Sequence, residues 1–156
     1  MDAKEHLTIG VIVSAIVFTI LLFLGYISLD ISNLIIICII SILFCLLPDI
    51  DHPISTITYF FFGSGILGMC IALINDKLSL GLPYMNFISV ASLVLMVVTF
   101  IFAKFVKHRD FVHTIWFGAL CAGSIYFLTG QWQHVIIAFV SFYSHLAADG
   151  LWFKIK

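Results

Sequence analysis

The sequence has very little charge. It contains 7 lysines and arginines and 8 aspartates and glutamates among 156 residues, which is 10%, whereas about a quarter of the residues in a soluble domain are charged. Hydrophobic residues make up 63% of the chain, so an ordinary soluble domain is excluded. The formal net charge is only -1, which leaves no basic surface for nucleic acid. We therefore predict a membrane protein that does not bind nucleic acid.

The sequence also lacks a Cys-x-x-Cys pair and a strand that could precede a dinucleotide-binding loop. Its four cysteines lie inside apolar runs, which argues against a zinc ribbon and a disulfide framework and favours packing roles. Gly63, Gly65 and Gly68 spell G-x-G-x-x-G, but they lie within an apolar helical run. We interpret these glycines as sites of close helix packing rather than as a nucleotide site.

Long apolar runs separated by polar residues dominate the chain. A helix needs about 20 residues to cross about 30 Å of hydrocarbon, and six such runs can be drawn. We predict an all-α integral membrane protein, with residues 1–156 forming a single transmembrane domain. The six predicted helices are Leu7–Leu29, Ile31–Leu47, Thr56–Ile74, Phe87–Val106, Phe111–Thr129 and Gln133–Phe153.

Positive charge is unequally divided between the two predicted faces. Counting six crossings places both termini on one face, and one lysine, Lys77, on the other. The positive-inside rule predicts that the richer face is cytoplasmic in this multi-pass protein of the cell membrane. The basic residues on that face are Lys4, Lys104, Lys107, Arg109, Lys154 and Lys156.

A turn with two carboxylates and an imidazole follows the second run. Pro48 bars helix continuation, and the residue before Pro53 is biased away from helix, so Asp49, Asp51 and His52 lie in a constrained turn. Such side chains are ligands for a divalent cation. The alternative is a helix end at which an aspartate serves as a cap.

Two further segments carry metal-ligand residues on the same predicted face. His145 and Asp149 are four residues apart and therefore share a helical face, although a hydrogen bond between them is the alternative. His108 and His113 are five apart, so they converge only if His108 precedes the fifth helix and His113 lies in its first turn.

Several other residues near these segments have both functional and structural interpretations. His6 opens the first helix and is either a ligand or a packing residue. Arg109 is suited to clamp a phosphoryl oxygen, or it anchors the helix at the interface. Asp110 either binds metal or caps the fifth helix, and Ser55 either caps the third helix or binds substrate.

This many candidate ligands predicts more than one metal ion. The predicted metal ligands are His6, Asp49, Asp51, His52, His108, His113, His145 and Asp149, and the predicted catalytic residues are Asp51, Arg109 and Asp110. Two or three ions, Zn²⁺ first and Mn²⁺ or iron as alternatives, suit phosphoester hydrolysis. A site at the membrane surface favours a phospholipid or lipid-linked phosphate as substrate. The alternatives are a metal-ion transporter and a non-catalytic structural or regulatory metal-binding protein.

The combined motifs resemble those of a known family over almost the whole chain. His6, Leu47-Pro48-Asp49-Ile50-Asp51-His52 with Ser55, His108-Arg109-x-x-x-His113 and Ser144-His145-x-x-x-Asp149 resemble the YdjM-like family of prokaryotic inner-membrane proteins, described as metal-dependent hydrolases. The resemblance implies a multi-helix membrane protein whose aspartate and histidine motifs bind metal. The chain is also distantly similar to the zinc-dependent phospholipase C and P1 nuclease group, which shares the His-x-x-x-Asp spacing.

The chain departs from the family pattern at the fifth helix. Where the pattern has Gly-[Phe]-Thr-His-Ser, this chain has Asp110-Phe111-Val112-His113-Thr114. Val112 removes a hydroxyl that could support a ligand, and Asp110 adds a carboxylate.

Overall fold

The computed structural model describes residues 3–52, 54–78, 85–105 and 111–151, apart from the side chains of residues 3, 51 and 105. Within these ranges the chain forms α-helices, two short 3-10 helices at Leu47–Asp51 and Phe111–His113, and no strand. The predicted all-α class is confirmed. The α-helices are α1 (Ala3–Phe23), α2 (Ile31–Leu46), α3 (Thr56–Leu78), α4 (Met85–Phe105), α5 (Ile115–Thr129) and α6 (Trp132–Ala148).

Four of the six helices are long and apolar enough to cross a membrane. These spans are Lys4–Phe23, Ile31–Ile50, Thr56–Leu78 and Met85–Lys104. The helices α5 and α6 have 15 and 17 residues, so at 1.5 Å per residue they are about 22 and 25 Å long. They are therefore shorter than the hydrocarbon layer of about 30 Å.

The end of α1 and the start of α5 differ from the predicted positions because of local backbone conformation and hydrogen bonding. The helix α1 ends at Phe23 rather than Leu29, and Gly25 follows with a positive φ of 74°, which a glycine adopts without strain. The helix α5 begins at Ile115 because the Thr114 hydroxyl accepts a hydrogen bond from the Phe117 amide. Thr114 is therefore the cap of this helix, and Asp110, for which capping is one of the two predicted roles, lies outside the described residues.

The first compact unit comprises Met1–Pro48 and Arg109–Lys156. In it α6 packs against α1, α2 and α5, and Ile137, Phe142 and Leu146 of α6 are fully buried. Polar residues join two of these helices as well, because the Ser14 and Ser141 hydroxyls lie 2.6 Å apart in a buried hydrogen bond. The helix α6 is thus the central element of this unit.

The second compact unit comprises Asp49–His108 and contains the paired helices α3 and α4. A Cβ atom at Gly65 would meet Met96, and one at Gly68 would meet Ser92, whereas at Gly63 no described atom lies within 4 Å. Close packing is therefore confirmed for two of the three glycines. The prediction of a single transmembrane domain over residues 1–156 stays a prediction.

Candidate metal centre

Three buried histidines surround one carboxylate at one end of the first unit. His6 lies in the first turn of α1, His113 ends a 3-10 helix, His145 lies in the last turn of α6, and Asp149 directly follows α6. The Asp149 carboxylate oxygens lie 3.4 Å from Nε2 of His6, 3.6 Å from Nε2 of His145 and 3.8 Å from Nε2 of His113. The Asp149 side chain is only 5% exposed, so these groups interact away from bulk water.

His145 is oriented by a backbone carbonyl of a neighbouring helix. Its Nδ1 lies 2.7 Å from the carbonyl oxygen of Cys45, and a carbonyl can only accept a hydrogen bond. Nδ1 therefore carries the proton, and in the neutral ring Nε2 presents a lone pair towards Asp149. A lone pair facing a carboxylate is unfavourable unless a cation lies between the two or the imidazole is protonated.

His6 is held beside His145 by ring stacking and by the contact between α1 and α2. The His6 and His145 ring centroids are 4.0 Å apart with an interplanar angle of 17°. The Cys45 thiol donates to the His6 carbonyl oxygen at 2.9 Å, so a single residue of α2 contacts both histidines. His113 completes the group with its ring edge-on to His145 at 5.7 Å.

The donor distances fit a metal ion better than direct hydrogen bonds. Good N–H···O hydrogen bonds have donor–acceptor distances up to about 3.2 Å, and all three His–Asp149 distances exceed this. Zinc bonds of about 2.0–2.1 Å place neighbouring tetrahedral ligand atoms about 3.4 Å apart. Ligand atoms of His6, His145 and Asp149 all lie within 4.8 Å of one another. Three imidazoles and one carboxylate also form a donor set that suits zinc.

The structure brings together four of the residues that the sequence predicted as ligands. His6, His113, His145 and Asp149 lie within the first unit, and the predicted convergence of His145 and Asp149 across one helical turn is confirmed. His6 had an alternative interpretation as a packing residue, and it is the histidine nearest to Asp149.

The other predicted residues belong to the second unit or lie outside the described residues. Asp49 lies in the 3-10 helix Leu47–Asp51 and belongs to the second unit, and the His52 amide donates to its carbonyl oxygen at 3.0 Å. Metal binding by Asp49 and His52 therefore stays a prediction. The side chain of Asp51 and the whole of His108, Arg109 and Asp110 lie outside the described residues.

Ser55 is a helix cap. Its hydroxyl accepts a hydrogen bond from the Thr58 amide at 3.2 Å, and its carbonyl accepts from the Tyr59 amide at 3.1 Å. These are the bonds expected of a residue that precedes a helix. The capping interpretation is confirmed.

Sequence reasoning missed Cys45, although a signal for it exists. The last carbonyls of a helix have no partner within that helix, and Pro48 ends α2 three residues beyond Cys45. A carbonyl in the last turn of α2 is therefore available to a side chain from another helix. Metal-binding histidines usually have such a partner for the nitrogen that does not bind the metal.

Comparison with known proteins identifies the family. No curated protein and no solved structure matches the chain. The family model described as YdjM inner membrane protein matches residues 1–154. This match spans nearly the whole sequence, including all four residues of the candidate centre, and the chain therefore belongs to the YdjM inner membrane protein family.

Proposed function

We propose that this chain is a membrane-embedded, metal-dependent hydrolase, whose centre holds one ion through His6, His113, His145 and Asp149. The observation that carries the proposal is the orientation of His145. Its Nδ1 bond to the Cys45 carbonyl directs the Nε2 lone pair at Asp149, 3.6 Å away. A divalent cation between these atoms would turn an unfavourable pairing into two metal bonds.

Burial and charge support a metal ion rather than a simple ion pair. His6, His113 and His145 are at most 4% exposed, and an isolated buried charge is costly unless it is paired. The Asp149 carboxylate carries one negative charge, so by itself it does not offset the protonation of all three imidazoles. A divalent ion could be coordinated by all four side chains, because neutral imidazoles and a carboxylate both donate lone pairs.

The chemistry of the donor set supports hydrolysis. When bound with one coordination position left for water, a zinc-like ion would supply a Lewis acid and lower the pKa of that water towards about 7. The residues of the chain form the pocket. The Cys45 carbonyl keeps the proton of His145 on Nδ1, and the negative charge of Asp149 would offset part of the positive charge of the ion. Burial of these side chains keeps bulk water away from the polar contacts.

The position of the centre supports a substrate at the membrane surface. His6 lies at the start of α1 and Asp149 just beyond the end of α6, so the ligands lie at helix ends. A transporter generally binds its ions near the midplane of the bilayer. We propose a phosphoester of a phospholipid or a lipid-linked phosphate as substrate, and the basic residues predicted for this face support a cytoplasmic orientation.

We also propose further metal ligands. Metal binding by Asp49, His52 and His108 would raise the number of ions in the protein to two or three. Arg109 would bind a phosphoryl oxygen, and the carboxylates of Asp51 and Asp110 would act beside the reacting bond. Zn²⁺ suits the described donors, with Mn²⁺ or iron as alternatives.

Metal analysis of the purified protein tests the centre. We expect at least one equivalent of a transition metal by mass spectrometry of the elements, and loss of one equivalent in Asp149→Asn and in His145→Asn. His134→Asn is the matched control, because His134 is also fully buried in α6 but lies eleven residues before His145. A wild-type protein loaded with Zn²⁺ that retains less than about 0.2 equivalents would contradict the proposal.

Turnover tests the reaction itself. We expect hydrolysis of phosphoester lipids in mixed micelles by wild type and by His134→Asn, and at least a hundredfold loss in Asp149→Asn. Stoichiometric metal without turnover of any phosphoester lipid would leave a metal-binding membrane protein and remove the hydrolase. Turnover that survives both Asp149→Asn and chelation would show that the reaction occurs elsewhere.

A further inference from the structure

The second unit carries an open groove between α3 and α4. Its volume is about 460 Å³, and its walls include Thr58, Tyr59, Phe62, Thr99, Phe100 and Lys104. This volume lies within the range of about 300–1,000 Å³ that is typical of small-molecule sites. All lining residues belong to one unit, so the groove is a feature of the α3 and α4 pair alone.

The groove is polar at one end and apolar along its length. Tyr59 lies near the start of α3, and Lys104 near the end of α4, so both lie at the same end of this helix pair. Phe62 follows Tyr59 in α3 by about one turn, and Phe100 precedes Lys104 in α4 by about one turn, so both lie further from this end of the pair. Lys104 is exposed, with its ammonium nitrogen 5.8 Å from the centroid of the Phe100 ring. The Lys104 ammonium group therefore lies at one end of an apolar groove, which is the arrangement that an anionic amphiphile would require.

Thr99 is one of the residues that line this groove, and its hydroxyl is buried. It is 1% exposed, and its hydroxyl has no hydrogen-bond partner among the described residues. Threonines in helices ordinarily bond to the carbonyl four residues earlier, as Thr19 and Thr129 do here with Ala15 and Ile125. A buried hydroxyl without a partner costs free energy. Binding of a ligand that offers an acceptor oxygen to this hydroxyl would therefore be favoured.

The spacing of Thr99 and Lys104 matches the layers of a phospholipid. The two residues are five apart in α4, which corresponds to about 7.5 Å along the helix. The polar layer between the hydrocarbon and the outer edge of the headgroups is about 5–7.5 Å thick on each side of a bilayer. A phosphate beside Lys104 thus places an ester carbonyl near the depth of Thr99.

We propose that this groove binds one anionic phospholipid. An acyl chain lies against Phe62 and Phe100, the phosphate pairs with Lys104, and an ester carbonyl accepts a hydrogen bond from the Thr99 hydroxyl. The charge of Lys104 selects an anionic headgroup over a zwitterionic one. None of these residues belongs to the candidate metal centre.

Native mass spectrometry of the full chain with added lipids tests the proposal. We expect one tightly bound phosphatidylglycerol and about fivefold weaker binding of phosphatidylcholine. Lys104→Gln should abolish this preference, and Lys104→Arg should keep it. Lys77→Gln is the matched control, since Lys77 is an exposed lysine at the opposite end of α3, and it should bind as wild type does.

A second pair of variants tests the hydroxyl. Thr99→Val is nearly isosteric and should weaken ester-linked lipids of both headgroup types about threefold, whereas Thr99→Ser should bind as wild type does. An ether-linked phosphatidylglycerol lacks the carbonyl, so Thr99→Val should leave its binding unchanged.

Three outcomes would overturn the proposal. They are equal binding of the two headgroups by wild type, an unchanged preference in Lys104→Gln, and a dimer without bound lipid, which would indicate that a second copy of the chain covers the groove.

Discussion

Replacement of Gly10 by alanine probes the packing that supports His6. A Cβ atom at this position would meet the Cys45 Sγ, and it would lie 2.8 Å from the Cys45 Cβ and 3.3 Å from the Ser144 Oγ. Side-chain rotation can move the sulfur but not the Cβ. The helix α1 must therefore shift away from α2, and Gly10 lies one turn beyond His6.

The effect of Gly10→Ala on the free energy of unfolding is the sum of two opposing contributions. Alanine is favoured over glycine in a helix interior by about 1 kcal/mol, whereas overpacking of a tight contact costs about 1–3 kcal/mol. Gly123 in α5 provides the matched control, because a Cβ there meets no described atom within 4 Å. Gly123→Ala should therefore be stabilised by about 1 kcal/mol, and the difference between the two variants isolates the overpacking cost of about 1–3 kcal/mol.

Thermal unfolding in detergent, with metal content measured on the same samples, is the assay. For a chain of this size each kcal/mol shifts Tm by about 2–4 °C, so Gly10→Ala should unfold roughly 2–12 °C below Gly123→Ala. We also expect weaker metal binding in Gly10→Ala only, since the shift separates His6 from His145. Equal Tm values for the two glycine variants would refute the packing described here.

Two other helix starts give independent predictions. The pKa of Asp30 is held below its ordinary value by hydrogen bonds from the Ser28 hydroxyl and the Asn33 amide. The stabilisation of the folded chain by these bonds is present above about pH 3.9 and is lost as the pH falls through the lower pKa of the folded state. The protection of the Asn33 amide against hydrogen exchange, relative to its intrinsic exchange rate, should therefore fall as the pH drops through this lowered pKa, and in Asp30→Asn this pH dependence should disappear. Thr114→Ala removes the acceptor for the Phe117 amide and should lower the free energy of unfolding by about 1 kcal/mol, whereas Thr114→Ser should retain it; equal stability of these two variants would contradict the cap.

Local patterns predicted much of the candidate centre. The spacing of His145 and Asp149 placed both on one helical face, and the structure shows them 3.6 Å apart. Pro48 predicted the end of α2, which occurs at Leu46. These predictions succeed because helical periodicity and the missing amide of proline act within a few residues.

Other local choices depended on competition between neighbours. Asp110 and Thr114 can both cap a helix, and the sequence favours neither one by type alone. The 3-10 helix Phe111–His113 moves the start of α5 to Ile115, and Thr114 becomes the cap. The same short helix positions His113 beside Asp149.

The sequence by itself determined that this chain is helical and membrane-embedded. Its charge is scarce and its apolar runs are long, so most of its side chains are more stable in hydrocarbon than in water, and the backbone of such runs satisfies its own hydrogen bonds as helices. It also determined which residue types were available as ligands. Only the tertiary structure decided that His6 joins His145, which lies 139 positions away, and that the Cys45 carbonyl orients the His145 ring. Contacts between helices depend on how buried surfaces pack together. Pro48 leaves several carbonyls of the last turn of α2 without a helical partner, and only the packing of α6 against α2 decides which of them meets His145.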